Sequence, residues 1–451
     1  MIYLTELHKQ PFKDCTLILN VQSLDVFLFS NIMMSIIELD FPLKENDIIN
    51  KLADKYSKED LLNAIKELLE SEILIKNKAL HQHSSKTNKS DFLNKIDLYI
   101  SSDCQLKCKY CFDRDSALKR QNMTLQTAKD SIDFLFKNSG ESTNLHVCFF
   151  GGEPTIKHEI ISQTIRYANQ KALAGNKYIH YSITTNGLNL KDDVLDLIVS
   201  HKINTVISID GDEITQMYNR PGKDNQNYYK ELISNITNAQ QKGVNISARA
   251  TISKNSKNRV FENFIFLENL GFNEIHMEPA FGNTNGIFID SIEDVESIKL
   301  ELGKIEDYVK NKITSNENRS SFQLLTEPLS IILNKTKLTH SCHIAANYVA
   351  IDWDGSIYLC HRMISNDKYY LGKISSDFDF NKLHNYRQIL NVNNRAKCSI
   401  CWVRNICGGG CVAVCEEYNG NTDDHHPLDC LLHKHSISLA LDIIANHMVN
   451  N

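Results

Sequence analysis

The chain has 451 residues, 42% of them hydrophobic and 23% charged, the composition of a folded protein of two or three domains rather than a disordered or fibrous one. Lys and Arg total 49 against 55 Asp and Glu, a net charge of -6, so no global positive field marks a nucleic-acid binder. No apolar run reaches the roughly 18 residues of a membrane span, and the start, MIYLTELHKQPFKD, lacks the basic-then-apolar pattern of a secretory signal. A cytoplasmic protein with neither membrane nor nucleic acid as partner is the expectation. The 13 cysteines break the ordinary pattern, because 11 of them fall in two clusters. In a reducing compartment clustered thiols mean metal or redox chemistry more than disulfides.

Residues 1–80 read as a small module. Strand-like pieces at Thr16–Val21 and Val26–Phe29 precede helical patterns at Glu45–Tyr56 and Lys58–Glu70, the latter opened by Ser57 as N-cap with Asp60 three residues on. This order resembles a winged helix. Residues 81–94, beginning HQHSSKTNKSD, are polar and read as a linker. From 95 to 282, strands at Ile96–Ser101, Leu145–Phe150, His180–Thr184, Thr205–Ile209, Asn245–Thr251 and Glu274–Pro279 alternate with helices such as Ile156–Ala174, Tyr228–Lys242 and Asn258–Leu270. That alternation predicts a parallel sheet, open or curled into a partial barrel. Ligands bind such sheets beyond the C-terminal strand ends, where the distinctive motifs of this chain sit. Residues 283–340 read as connecting helices and 341–434 as a Cys- and Gly-rich extension with too little periodicity for a large core of its own. Residues 435–451 read as a closing helix, Ser436–Met448.

After the first barrel strand comes CQLKCKYC, with Cys104, Cys108 and Cys111. Three thiolates on one loop hold three irons of a cubane and leave the fourth open to a substrate or cofactor. The alternative is a zinc site completed from elsewhere. These residues resemble the radical S-adenosylmethionine (radical SAM) signature C-x3-C-x-aromatic-C, with Tyr110 as the aromatic, and the resemblance runs through 95–282. Gly151-Gly152-Glu153 stand where that family places its GGE motif. The glycines let backbone approach a ligand closely, and Glu153 can accept from an ammonium. Asn186 ends the third strand, Ser208 the fourth, in SIDG with Asp210, and Arg249 lies on the fifth. The resemblance implies that such residues contact the ribose and carboxylate of the cofactor; a guanidinium suits a carboxylate because it binds bidentately. It also implies a partial (β/α)6 radical SAM barrel binding S-adenosylmethionine and a [4Fe-4S] cluster. The chemistry is one-electron reduction of the sulfonium, departure of methionine, and hydrogen abstraction by a 5′-deoxyadenosyl radical.

The second cluster contains Cys342, Gly355 and Cys360, then Cys398, Cys401, Cys407 and Cys411 in CSICWVRNICGGGC, and finally Cys430. A zinc ribbon also uses C-x2-C. The complete spacing resembles the seven-cysteine SPASM extension of radical maturases. By that resemblance Cys398, Cys401, Cys407 and Cys430 close a distal auxiliary [4Fe-4S] cluster, and Cys342, Cys360 and Cys411 hold a nearer one. The fourth position there is either open or filled by Cys415. Three [4Fe-4S] clusters are thus implied, in an oxidoreductase that modifies a ribosomally synthesised precursor peptide. Residues 1–80 would grip its leader by strand addition, and a flavodoxin or ferredoxin would supply electrons. Cys360-His361-Arg362, Tyr370-Leu371-Gly372-Lys373-Ile374 and Met277-Glu278-Pro279 resemble ranthipeptide- and sactipeptide-type maturases that join a cysteine sulfur to carbon as a thioether. Carbon–carbon crosslinking, formylglycine formation as in anaerobic sulfatase maturases, and a non-enzymatic zinc-binding regulator are the alternatives.

Overall fold

The computed structural model describes residues 1–76, 92–113, 121–224, 226–282, 286–315, 320–376 and 378–450. Residues 81–91 of the expected linker lie outside these. Six strands form at Lys95–Ser101, Asn144–Gly151, Tyr178–Thr185, Asn204–Ser208, Ile246–Ile252 and Glu274–Pro279, within two residues of the sequence reading at each end. They pair in parallel and in chain order.

Alternation along each strand sorts side chains between two faces. Ile96, Leu98, Val147, Phe149, Ile183, Ile207, Ala248 and Ile275 are buried against helix residues such as Ile132, Leu135, Ile161, Ile165, Leu232 and Phe264 in one core. Those side chains come from Leu125–Lys137, His158–Gly175, Tyr229–Gln241 and Val260–Asn269. The intervening residues, among them Asp97, Tyr99, Cys148, Phe150, Ser208, Arg249 and Glu278, turn to the opposite face. The polar chemistry gathers there.

The sheet continues past both of its expected ends. Tyr348–Ile351 pairs parallel to the first barrel strand, and Ser356–Tyr358 and Tyr370–Lys373 follow antiparallel; Ser321–Phe322 adds beyond the sixth strand. The ten-stranded order is linear, so among the described residues the barrel does not close. The cysteine-rich segment is thereby fused to the barrel sheet. Its strands are only three or four residues long, too short to show a period.

At the N-terminus, Leu7–Phe12, Cys15–Asn20 and Val26–Phe29 form an antiparallel sheet. Helices Asn31–Ile37, Glu45–Leu52 and Lys58–Glu70 follow. Ser57 is the cap the sequence marked, its Oγ accepting from the Asp60 N–H at 3.1 Å. Ile18 packs into the helices with Ile36, Ile48, Leu61 and Ile65. Its neighbours Leu17 and Leu19 point the other way, into a core with Val403, Ile406, Ile437 and Leu441. The central strand is therefore covered on both faces, and the module is packed onto the C-terminal part of the chain. The closing helix runs Pro427–Asn450, starting before the expected Ser436, so Cys430 stands in its first turns. No helix among the described residues is long and apolar enough to cross a membrane.

Candidate functional site

Cys104, Cys108 and Cys111 lie just past the first barrel strand. Cys104 and Cys108 are half-buried and Cys111 is exposed. Burial pushes the Cys104 thiol up and the Cys108 thiol up to about 12, and each is influenced by Cys111. Each thiol thus lies within electrostatic reach of Cys111. Two side chains address these sulfurs. Asn186 Nδ2 lies 3.8 Å from Cys104 Sγ, and an Arg220 guanidinium nitrogen lies 4.0 Å from Cys108 Sγ.

The GGE segment supports this loop from the second strand. A Cβ on Gly151 would stand 2.4 Å from the Ser101 carbonyl oxygen, and one on Gly152 would stand 2.6 Å from that of Asp103. Gly152 N and Glu153 N donate to these same carbonyls at 2.6 and 2.7 Å. The glycines thus make room for the chain's own backbone at the start of the cysteine loop. The expected approach to a ligand is not needed to explain them. Glu153 is fully buried. Its carboxylate accepts from Thr155 N, Thr155 Oγ1, Thr185 Oγ1 and Asn186 N at 2.6–3.1 Å. Burial nonetheless holds its pKa above the ordinary value. Glu153 ties the second strand end to the third rather than presenting a bare carboxylate.

Tyr110 hydrogen-bonds to Asp210 at 2.5 Å. Asp210 also accepts from Asn219 Nδ2, Arg220 Nε and Thr251 N at 2.9–3.0 Å, and is 1% exposed. Sequence reasoning missed Arg220 altogether, because no motif links it to cysteines more than a hundred residues earlier. Ser208 and Arg249 are register partners on adjacent strands. Arg249 pairs with Glu278 at 2.9 Å, both half exposed. The first strand adds a further network, in which Asp97 Oδ2 accepts from the Tyr348 hydroxyl at 2.7 Å and lies 3.0 Å from His361 Nδ1. Burial resists ionisation of Asp97, but His361, Lys95 and Tyr348 outweigh it and hold the carboxyl below its usual range. Phe150 and Phe112 flank the His361 ring.

The second cysteine group divides in space. Cys360 is influenced by Cys342 and Cys411, whereas Cys430 is influenced by Cys407, Cys398 and Cys401. Cys415 is 1% exposed, with its sulfur 3.7 Å from Arg395. Gly408, Gly409 and Gly410 all adopt positive φ between the sets, and a Cβ on Gly408 would come within 2.7 Å of the His340 backbone. Only glycine permits that turn and that contact. Among the described residues no group of three or more His, Cys, Asp or Glu is arranged to hold a single metal ion. A cubane spreads its thiolates more widely, and the clustered all-thiolate donor sets fit that group. Cys15 and Cys148, the two cysteines outside the clusters, are both half-buried.

Residues 98–266 match the Radical SAM superfamily model. This segment is a radical SAM domain. Its superfamily is one of S-adenosylmethionine-dependent iron–sulfur enzymes, as the cysteine motif implied. A cysteine-type anaerobic sulfatase-maturating enzyme of Clostridium novyi is 24% identical over 332 residues, 68% of this chain and 85% of that protein. An uncharacterized protein of Methanocaldococcus jannaschii is 26% identical over 212 residues, 46% of this chain and 71% of that one. Among solved structures, native anSMEcpe with bound AdoMet and Cp18Cys peptide has a TM-score of 0.68 at 18% identity, covering 80% of this chain and 100% of its own. Streptococcus suis SuiB bound to precursor peptide SuiA has 0.53 at 16%, covering 95% and 100%. At such identities the likeness is one of fold: the radical SAM domain here carries N- and C-terminal additions that SuiB spans as well.

Proposed function

We propose that the chain installs a crosslink, a bond between a cysteine sulfur and a carbon, in a ribosomally synthesised precursor peptide. The observation that carries this reading is the sorting of the cysteines into sets of three, three and four, with Cys415 turned to Arg395. Cys104, Cys108 and Cys111 are the ligands of the catalytic [4Fe-4S] cluster. Cys342, Cys360 and Cys411 hold the nearer auxiliary cluster, and Cys398, Cys401, Cys407 and Cys430 the distal one. A [4Fe-4S] cluster on Cys104, Cys108 and Cys111, with S-adenosylmethionine beside it, would supply one-electron reductive cleavage and so the means to abstract a substrate hydrogen.

The protein's own contribution is orientation and exclusion of water. Tyr110 and Asp210 fix the cysteine loop. Glu153 fixes the Gly151–Gly152 turn against it, and Asn186, Ser208 and Arg249 would contact the cofactor. Arg249, paired with Glu278 here, would hold the cofactor carboxylate. The Tyr99 and Phe150 rings, edge to face at 5.4 Å, keep the neighbouring floor apolar, which protects a reactive radical. The nearer set has one thiolate fewer than a closed cluster needs. A substrate cysteine is a soft donor of the right kind for that position. The N-terminal sheet leaves Leu7–Phe12 and Val26–Phe29 as its edges among the described residues, and an extended leader can add to such an edge. The peptides named with anSMEcpe and SuiB support a peptide substrate, and a flavodoxin or ferredoxin fits as donor.

A second reading is favoured by the likeness to the Clostridium novyi enzyme: oxidation of a peptide Cys or Ser to formylglycine. Anaerobic incubation of the iron-loaded protein with S-adenosylmethionine, reductant and a cysteine-bearing precursor separates the outcomes. Loss of one hydrogen pair together with the free thiol gives the thioether. Loss of a hydrogen pair with the thiol still alkylatable gives a carbon–carbon bond. A hydrazide-reactive product that has lost sulfur gives formylglycine. Zinc in place of iron, with no turnover, gives the regulator.

A further inference from the structure

We infer that the N-terminal sheet is a wall of the distal cysteine site, with Glu6 and His8 as positioning residues, Glu6 setting the electrostatics there and His8 covering the loop. The inference rests on the reading that Cys398, Cys401, Cys407 and Cys430 hold an iron–sulfur cluster.

All five residues between Cys401 and Cys407 are held by the module. Trp402 lies flat on the His8 ring, with centroids 3.5 Å apart and 2° between planes. Val403 and Ile406 are buried with Leu17, Leu19 and Leu24. Arg404 is 5% exposed and donates to both Glu6 carboxylate oxygens. The same guanidinium donates to the Cys401 carbonyl at 3.0 Å. Asn405 Nδ2 donates to the Val21 carbonyl at 2.7 Å. Cys401 and Cys407 themselves pack against this core. A peptide pairing with the Leu7–Phe12 edge would therefore lie beside the strand whose His8 stacks on Trp402.

The charge arrangement gives the inference a sign. Cluster potentials follow net charge, hydrogen bonding and solvent exposure. Glu6 neutralises the Arg404 cation beside the cysteine loop. Without that carboxylate the buried cation is uncompensated, and an added electron on the distal cluster is favoured. His8 acts differently, by covering Trp402 and keeping water from the loop.

The test uses full-length protein with Cys104, Cys108 and Cys111 replaced by Ala, so that only auxiliary clusters remain. After anaerobic iron loading, iron, sulfide, EPR spectra and reduction midpoints are measured. Glu6→Gln should move one midpoint to more positive potential, and Glu6→Asp should return it toward the parent. His8→Ala should speed loss of one cluster's iron to a chelator severalfold. Lys66→Ala, at an exposed site on the module's third helix, should change neither. Should Glu6→Gln and His8→Ala match the parent in midpoint, spectrum and chelation rate, the wall is wrong. A parent that takes up iron for only one auxiliary cluster instead overturns the cluster reading, and the inference with it.

Discussion

The Tyr110 hydroxyl and the Asp210 carboxylate meet at 2.5 Å, joining the aromatic of the cysteine loop to the end of the fourth barrel strand. Asp210 also holds the buried Arg220 cation at 3.0 Å, and that cation reaches back toward Cys108. One carboxylate thus fixes both the loop and the charge beside a sulfur. Burial and the Asp210 charge drive the Tyr110 pKa well up, so the phenol stays protonated and donates.

Asp210→Ala should accordingly cost more than a hydrogen bond. It leaves Arg220 buried without its partner, a loss of about 3–5 kcal/mol. Tyr110→Phe removes one neutral donor to a charged acceptor, about 1.5–3 kcal/mol. Thermal unfolding orders the two variants, and iron content reads the loop. Asp210→Ala should lose the catalytic cluster while retaining the auxiliary ones. Equal stability of the two variants would contradict the hub.

Cys415→Ala should leave iron content and crosslinking close to the parent. Arg395 keeps its bonds to the Gly409 and Asp424 carbonyls at 2.7 and 2.8 Å, so removing the sulfur costs on the order of 1 kcal/mol. Cys411→Ala should strip the nearer cluster and abolish crosslinking, while S-adenosylmethionine cleavage persists. Equal iron loss in the two variants would mean that Cys415 closes the cluster, and direct carbon–carbon coupling becomes the better reading.

The barrel strands were legible because their alternation survives in the sequence, and Ser57 because a cap is local chemistry. The Asp210–Arg220 hub was not legible, since nothing in local spacing connects the SIDG turn to an arginine on the next helix end. The module's attachment did leave a trace. In CTLILN the run Leu17-Ile18-Leu19 has no polar alternation, the signature of a strand covered on both faces. The early start of the closing helix was hidden by the polar residues around Cys430, whose LDCLLHKHS run lacks an amphipathic stripe.

Asp97 predicts a pH dependence. Its folded pKa is depressed, so its contribution is present above the unfolded value of about 3.9 and is lost as pH falls through the folded value. Asp97→Asn should cost about 1.5–3 kcal/mol near neutrality and flatten the acid limb of stability below about pH 4. Chemical denaturation at stepped pH checks this. A parallel offset at every pH would assign the loss to packing instead.

Gly408 offers the sharpest test of how the two auxiliary sites depend on each other. It sits at φ +66, a conformation that costs an alanine about 1–2 kcal/mol. Beyond that strain, a Cβ there would press on the His340 carbonyl at 2.7 Å and on Ser341 N at 2.8 Å, and these residues lead directly into Cys342. Ser341 in turn donates to the Gly410 carbonyl, so displacing one loop displaces the other. Gly243 is the matched control, with φ +77 and nothing within 4 Å of its Cβ position. Both Gly→Ala variants should lose stability through backbone strain. Only Gly408→Ala should also lose iron from both auxiliary sets, leaving the Cys104, Cys108 and Cys111 cluster able to cleave S-adenosylmethionine. If Gly408→Ala retains full iron and differs from Gly243→Ala in neither spectrum nor turnover, the two loops are independent and the glycine run serves only to turn the chain.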